Sequence, residues 1–124
     1  MATKEIPREE WTDFFDGFSR RHEGWLVTVE VLGSVGAQVE ARELPLLGIA
    51  SDRDGGNTIS IIVSATPEGR VTHIIGKPTH VRVEETEDGV DRALQIESKE
   101  GETTLVSFRS AVSPEMVDGV LPAR

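Results

Sequence analysis

The chain contains no cysteine and no tyrosine, and only two tryptophans. Without cysteine there is no disulfide, no thiolate metal site and no cysteine nucleophile, and the composition suits a reducing cytosol. Long apolar runs are missing as well: none approaches the ~18–20 residues of a membrane span. Met1-Ala2-Thr3-Lys4-Glu5 has no apolar stretch behind its charge, so no secretory leader is expected. Basic charge is scarce: 13 Lys and Arg stand against 22 Asp and Glu, for a net charge of -9. Affinity for phosphate backbones rests on cations that displace condensed counterions, so nucleic acid is not an expected partner. The one adjacent basic pair is Arg20-Arg21.

What is present describes an ordinary globular chain, 37% hydrophobic and 28% charged over 124 residues. That length makes one domain, 1–124, with neither repeats nor a linker. Trp11, Phe14, Phe15 and Phe18 hold four of the six aromatics and recur at i+3 and i+4 steps, the signature of one buried helical face. Pro7 suits a first helical position, Glu9 and Glu10 the first turn, Arg20 and Arg21 the last turn, and Gly24 the stop. The spacing predicts a helix over about 7–22, with Gly17 costing ~1 kcal/mol against alanine.

After Gly24 the period changes to two. Trp25, Val27, Val29 and Val31 share one face, and Ala37, Val39 and Ala41 alternate with polar residues. The same alternation marks Ile59, Ile61 and Val63, then Val81 and Val83, Leu94 and Ile96, Val106 and Phe108. Half-buried antiparallel strands produce this pattern. Glycine-, proline- and asparagine-rich turns separate the runs, and no helix intervenes to make parallel crossovers. Leu44-Pro45-Leu46 implies an edge, a bend or a barrel corner. The expected fold is mainly β: six to seven antiparallel strands over about 25–110, as a strongly curved meander or small barrel, covered by the helix. The tail 111–124 opens on a helix-start signal at Ser113-Pro114-Glu115.

Three stretches carry a family resemblance. They are Ile6-Pro7-Arg8-Glu9-Glu10-Trp11, the run from Phe18 to Gly33 (FSRRHEGWLVTVEVLG), and Gly36-Ala37-Gln38-Val39-Glu40-Ala41-Arg42. With Ser113-Pro114-Glu115-Met116-Val117-Asp118-Gly119, the chain resembles, nearly end to end, an uncharacterised bacterial family of short acidic proteins classed as a domain of unknown function. The resemblance implies a bacterial, stand-alone, soluble protein. It brings no activity, cofactor or catalytic residue.

Few residues offer chemistry. If Gly76-Lys77 forms a two-residue hairpin loop, His73 and His80 stand opposite one another, with Cβ atoms ~4.5–5.5 Å apart. Pro78 opposes that register, since it has no N–H to close the turn; a three-residue loop would pair His73 with Val81. Two histidines leave a metal cage short of ligands, so strand-surface histidines are the plainer reading and no metal or cofactor is expected. Asp52-Arg53-Asp54-Gly55-Gly56-Asn57 fails the calcium-loop pattern, with Gly56, Asn57 and Val63 at the positions that need an oxygen ligand, a glycine and a glutamate. The acidic run Glu84-Glu85-Thr86-Glu87-Asp88 reads as a solvated hairpin end. Gly76-Lys77-Pro78-Thr79 lacks the first glycine and the hydroxyl of a phosphate loop, and a strand follows it rather than a helix. No Gly-x-Ser-x-Gly elbow exists, and His22 reads as a polar helix end.

Ile62 and Ile74 fall on the wet side of their strands and point to a second buried surface, such as a subunit interface. The resulting expectation is a cytoplasmic, non-catalytic binding or assembly module, a homodimer or the partner of another protein. The alternative is a small-ligand or metal-binding protein, enzyme included, with His73, His80 and Arg82 at the mouth of the curved sheet.

Overall fold

Two meanders, a helix and an added edge strand make up the computed structural model, which describes residues 2–34, 36–52, 57–66 and 68–109. In chain order these are β1 (Ala2–Ile6), a 3-10 turn (Arg8–Glu10), α1 (Trp11–His22), β2 (Leu26–Gly33), β3 (Gly36–Ser51), β4 (Thr58–Ser64) and β5 (Arg70–Gly76), followed by β6 (Pro78–Glu85), β7 (Asp91–Ser98) and β8 (Thr103–Arg109). The strands form one antiparallel sheet in the order β1-β6-β7-β8-β2-β3-β4-β5. The sheet curls without closing, so β1 and β5 remain its two outer strands. The mainly β fold with one N-terminal helix is therefore as expected, with eight strands rather than six or seven. The tail 111–124 and its helix-start signal lie outside the described residues.

The aromatic stripe does what its spacing predicts. Trp11, Phe15 and Phe18 are fully buried against Val27, Val29, Leu46, Ile61, Val63, Val81, Leu94, Ile96 and Val106. Burial of each such side chain stabilises by about 1.5–3 kcal/mol. Pro7 caps the 3-10 turn through its carbonyl, which accepts from the Glu10 N–H, and the α-helix proper starts only at Trp11. The Trp11 indole donates to the Ile6 carbonyl at 2.9 Å, tying the start of the helix to the end of β1. Gly24, at φ +86°, ends it.

The curl is made at two corners, where strands leave one half of the sheet for the other. The first lies in the 16-residue β3, whose first half pairs with β2 and whose second half pairs with β4. Register shifts around Val29, and Glu43 at φ +52°, bend it just before Pro45. Beyond the bend β2 no longer covers β3, and α1 takes its place. The Ser19 hydroxyl accepts from the Ile49 N–H and donates to the Ile49 carbonyl, both at 2.9 Å. One side chain thereby satisfies both polar groups of a buried strand residue.

At the second corner β5 runs into β6 through a single residue, Lys77, at φ +51°. Its N–H donates to the Asn57 carbonyl and its carbonyl accepts from the Lys99 N–H, both at 2.8 Å. These bonds pin Lys77 between the start of β4 and the end of β7. The left-handed conformation costs a non-glycine residue about 1–2 kcal/mol, and these two bonds help to hold it.

Candidate functional site

The corner at Lys77 corrects the hairpin reading of His73 and His80. No turn folds β5 back on β6: β5 pairs with β4, and β6 pairs with β1 and β7. A left-handed residue followed by Pro78 carries the chain onward instead of reversing it. His73 stands opposite Ile61, on the core side of β5. His80 and Arg82 alternate with the buried Val81 and Val83 and so lie on the outer face of β6. His80 and Arg82 come together; His73 does not join them.

On that outer face, β1 supplies the partner for both. His80 Nδ1 lies 2.7 Å from Glu5 Oε2, and Arg82 Nε lies 3.5 Å from Glu5 Oε1. Arg82 also hydrogen-bonds Glu97 on β7. The hydrogen bond from His80 holds the Glu5 carboxyl below its ordinary value, against a small loss of hydration and with the charges of His80 and Arg82 adding to the effect. Glu5 and His80 are both about half exposed. This chain of charges spans β1, β6 and β7 and fastens the added edge strand to the sheet.

His73 lines a crevice of about 60 Å³ with Ile75, Gly76, Ser98, Glu100, Glu102 and Thr104. The buried Ser98 hydroxyl has no hydrogen-bond partner among the described residues. A crevice this small and this polar suits one or two water molecules. Among the described residues no group of three or more His, Asp or Glu side chains is placed to hold a metal ion.

His22 is the last residue of α1, as expected, and it is buried there. Its Nδ1 lies 2.8 Å from the Phe18 carbonyl and its Nε2 lies 3.3 Å from the Asp91 carboxylate. Its ring stacks on Phe18 at 4.0 Å and meets Trp25 edge-on at 4.5 Å. The spacing of four from Phe18 extends the aromatic stripe by one turn, a signal present in the sequence but assigned there to aromatics alone.

Ile62 and Ile74 lie on the outer face of β4 and β5, diagonal to each other, since Ile74 stands opposite Ser60 and Ile62 opposite Thr72. Ile74 is 62% exposed, the highest figure among the described large hydrophobic residues, whereas Ile62 is half-buried. Leu47, also exposed, adjoins Gly48, the partner of Ile62. Among the described residues no strand pairs with the other edge of β5. From Val71 to Gly76 that edge carries no Lys, Arg, Asp or Glu. The edge of β1 contains Lys4 and Glu5, and the free stretch of β3 contains Glu40, Arg42 and Glu43 together with its register shifts. Charges and bulges protect strand edges from pairing with other chains. β5 shows no register shift against β4, and its one Lys, Arg, Asp or Glu, Arg70, stands at its start.

Comparison with known proteins agrees with the unassigned character of these features. A profile for a family of unknown function, DUF5335, matches residues 2–117. An uncharacterized protein from Aquifex aeolicus (strain VF5) is 34% identical over 113 residues, covering 90% of this chain and 96% of that protein. No solved structure matches. The chain belongs to the DUF5335 family. No helix among the described residues is long and apolar enough to cross a membrane.

Proposed function

We propose that this DUF5335 protein is a non-catalytic assembly module that forms a homodimer by antiparallel pairing of β5 with β5 of a second copy. The unguarded β5 edge carries this reading. An exposed strand edge presents a row of unpaired N–H and C=O groups. Antiparallel pairing of a strand with its own copy is two-fold symmetric, so one surface serves both subunits. The stretch from Val71 to Gly76 itself brings no Lys, Arg, Asp or Glu to the contact between two chains of net charge -9. Ile74 and Ile62, with Leu47 beside them, supply apolar area next to the paired backbones. A cysteine-free, acidic chain suits action in the cytoplasm.

Ile74→Lys tests the reading. The substitution puts a charge on the edge at a largely exposed position, where changes shift stability by only about 0.5 kcal/mol either way. Light scattering at ~100 μM, well above the dissociation constant of a specific interface, gives a dimer for the wild type and a monomer of unchanged melting temperature for the variant. A monomeric wild type, or a dimer unaffected by Ile74→Lys, removes the proposal.

A further inference from the structure

β5 runs from Arg70 to Gly76, and the middle of its seven residues is His73. Residues directly opposite in an antiparallel pair share one face. A strand that pairs with its own copy about a two-fold axis therefore sets one residue opposite itself. Full overlap of two β5 strands pairs the most backbone, and it puts that axis at His73. Each His73 then stands opposite the partner's His73, with Cβ atoms ~4.5–5.5 Å apart. Resting on the β5 dimer proposed above, we infer that these two imidazoles, one from each subunit, form a binding site for a zinc ion.

The surroundings of His73 suit that role. It is the one imidazole or carboxylate on β5. It lies on the core side of the strand, yet it is half-buried, whereas Ile75 and the opposing Ile61 are buried. Its ring borders the crevice that Ser98, Glu100 and Glu102 also line. The buried Ser98 hydroxyl there has no hydrogen-bond partner among the described residues, and a water bound to the ion supplies one. One chain alone makes no site: among its described residues no three His, Asp or Glu side chains are placed to hold a metal ion. The second copy brings the missing imidazole. Zinc takes four ligands, with imidazole nitrogen and carboxylate oxygen at about 2.0–2.2 Å. Two imidazoles with carboxylates of the adjoining crevices, or water, complete such a set. The chain has no cysteine, so no thiolate competes for the ion. The cation also lies between two chains of net charge -9, where its charge favours their association.

The site has a consequence for assembly. Since each half-site is incomplete, zinc binds the dimer in preference to the monomer, and linkage makes it tighten the dimer. Free zinc at a hundredfold its dissociation constant lowers the dimer dissociation constant about a hundredfold.

The test uses full-length protein stripped with EDTA and titrated with zinc chloride by calorimetry, with light scattering on the same samples. Saturation is expected at one ion per two chains, together with the hundredfold tightening. His73→Gln should abolish both effects while the metal-free variant dimerises and melts as the wild type does. Glu100→Gln combined with Glu102→Gln, at exposed positions, should weaken zinc binding at least about tenfold. Ile74→Lys, which separates the two half-sites, should lose it, and His80→Gln, on the outer face of β6, should leave it unchanged. A metal-free dimer with no saturation at one ion per two chains, or with saturation that survives His73→Gln, overturns the zinc site and leaves the β5 pairing standing. A wild type that is monomeric with and without zinc overturns the pairing itself, and the site with it.

Discussion

Ser19 shows how much one small side chain can carry in this molecule. Its hydroxyl occupies the place of a neighbouring strand, serving both polar groups of the buried Ile49. Ser19→Ala leaves that N–H and carbonyl buried without partners, at a cost of about 1–3 kcal/mol, well above the usual effect of a helix-surface serine. Urea unfolding followed by circular dichroism measures it. Glu5 makes a prediction of a different kind. Its carboxyl titrates below the ordinary value of 4.5 in the folded chain. Its contribution to stability is therefore fully present above that value and is lost as the pH falls through the lower folded value. Glu5→Gln should flatten this part of the pH–stability profile while leaving the profile above pH ~5 parallel to the wild type. An unchanged slope in the acid range contradicts the His80–Glu5 geometry.

At the scale of elements, the corners decide the fold, and they are also where reading from sequence fell short. The helix was legible because Trp11, Phe15 and Phe18 repeat a local period, and most strands were legible because Val81 and Val83 or Leu94 and Ile96 alternate with polar neighbours. Both signals reach only a few residues along the chain. β1 was missed because Ala2–Ile6 is short and its partner, Val81–Glu85, lies some 79 positions away. Neither hairpin register open to His73, opposite His80 or opposite Val81, forms, although glycine, lysine and proline in a row look like a tight reversal. A left-handed Lys77 with backbone bonds to both halves of the sheet is a tertiary arrangement, with no local signature. By contrast, Pro45 carries a local signal, its missing N–H, that implies an edge, a bend or a corner, and β3 bends just before it. The corner yields its own prediction: Lys77→Gly relieves the left-handed strain and is neutral or stabilising by up to ~1 kcal/mol, whereas Lys77→Val destabilises by about 1–2 kcal/mol. Thermal melts of the two variants decide it, and equal melting temperatures contradict the account of the corner.

At the scale of the whole molecule, net charge makes the proposed dimer sensitive to salt. Two copies of a chain with net charge -9 repel at long range, so association through the uncharged β5 edge strengthens as salt screens that repulsion. Raising the ionic strength from about 20 mM to about 500 mM should therefore tighten the dimer.

The measurement that bears most directly on the assembly claim is the mass of the wild-type protein in solution, by light scattering across a concentration series reaching ~100 μM. The account predicts a species of twice the 13.5 kDa chain mass that dissociates on dilution and is abolished by Ile74→Lys. A mass of 13.5 kDa at every concentration contradicts it.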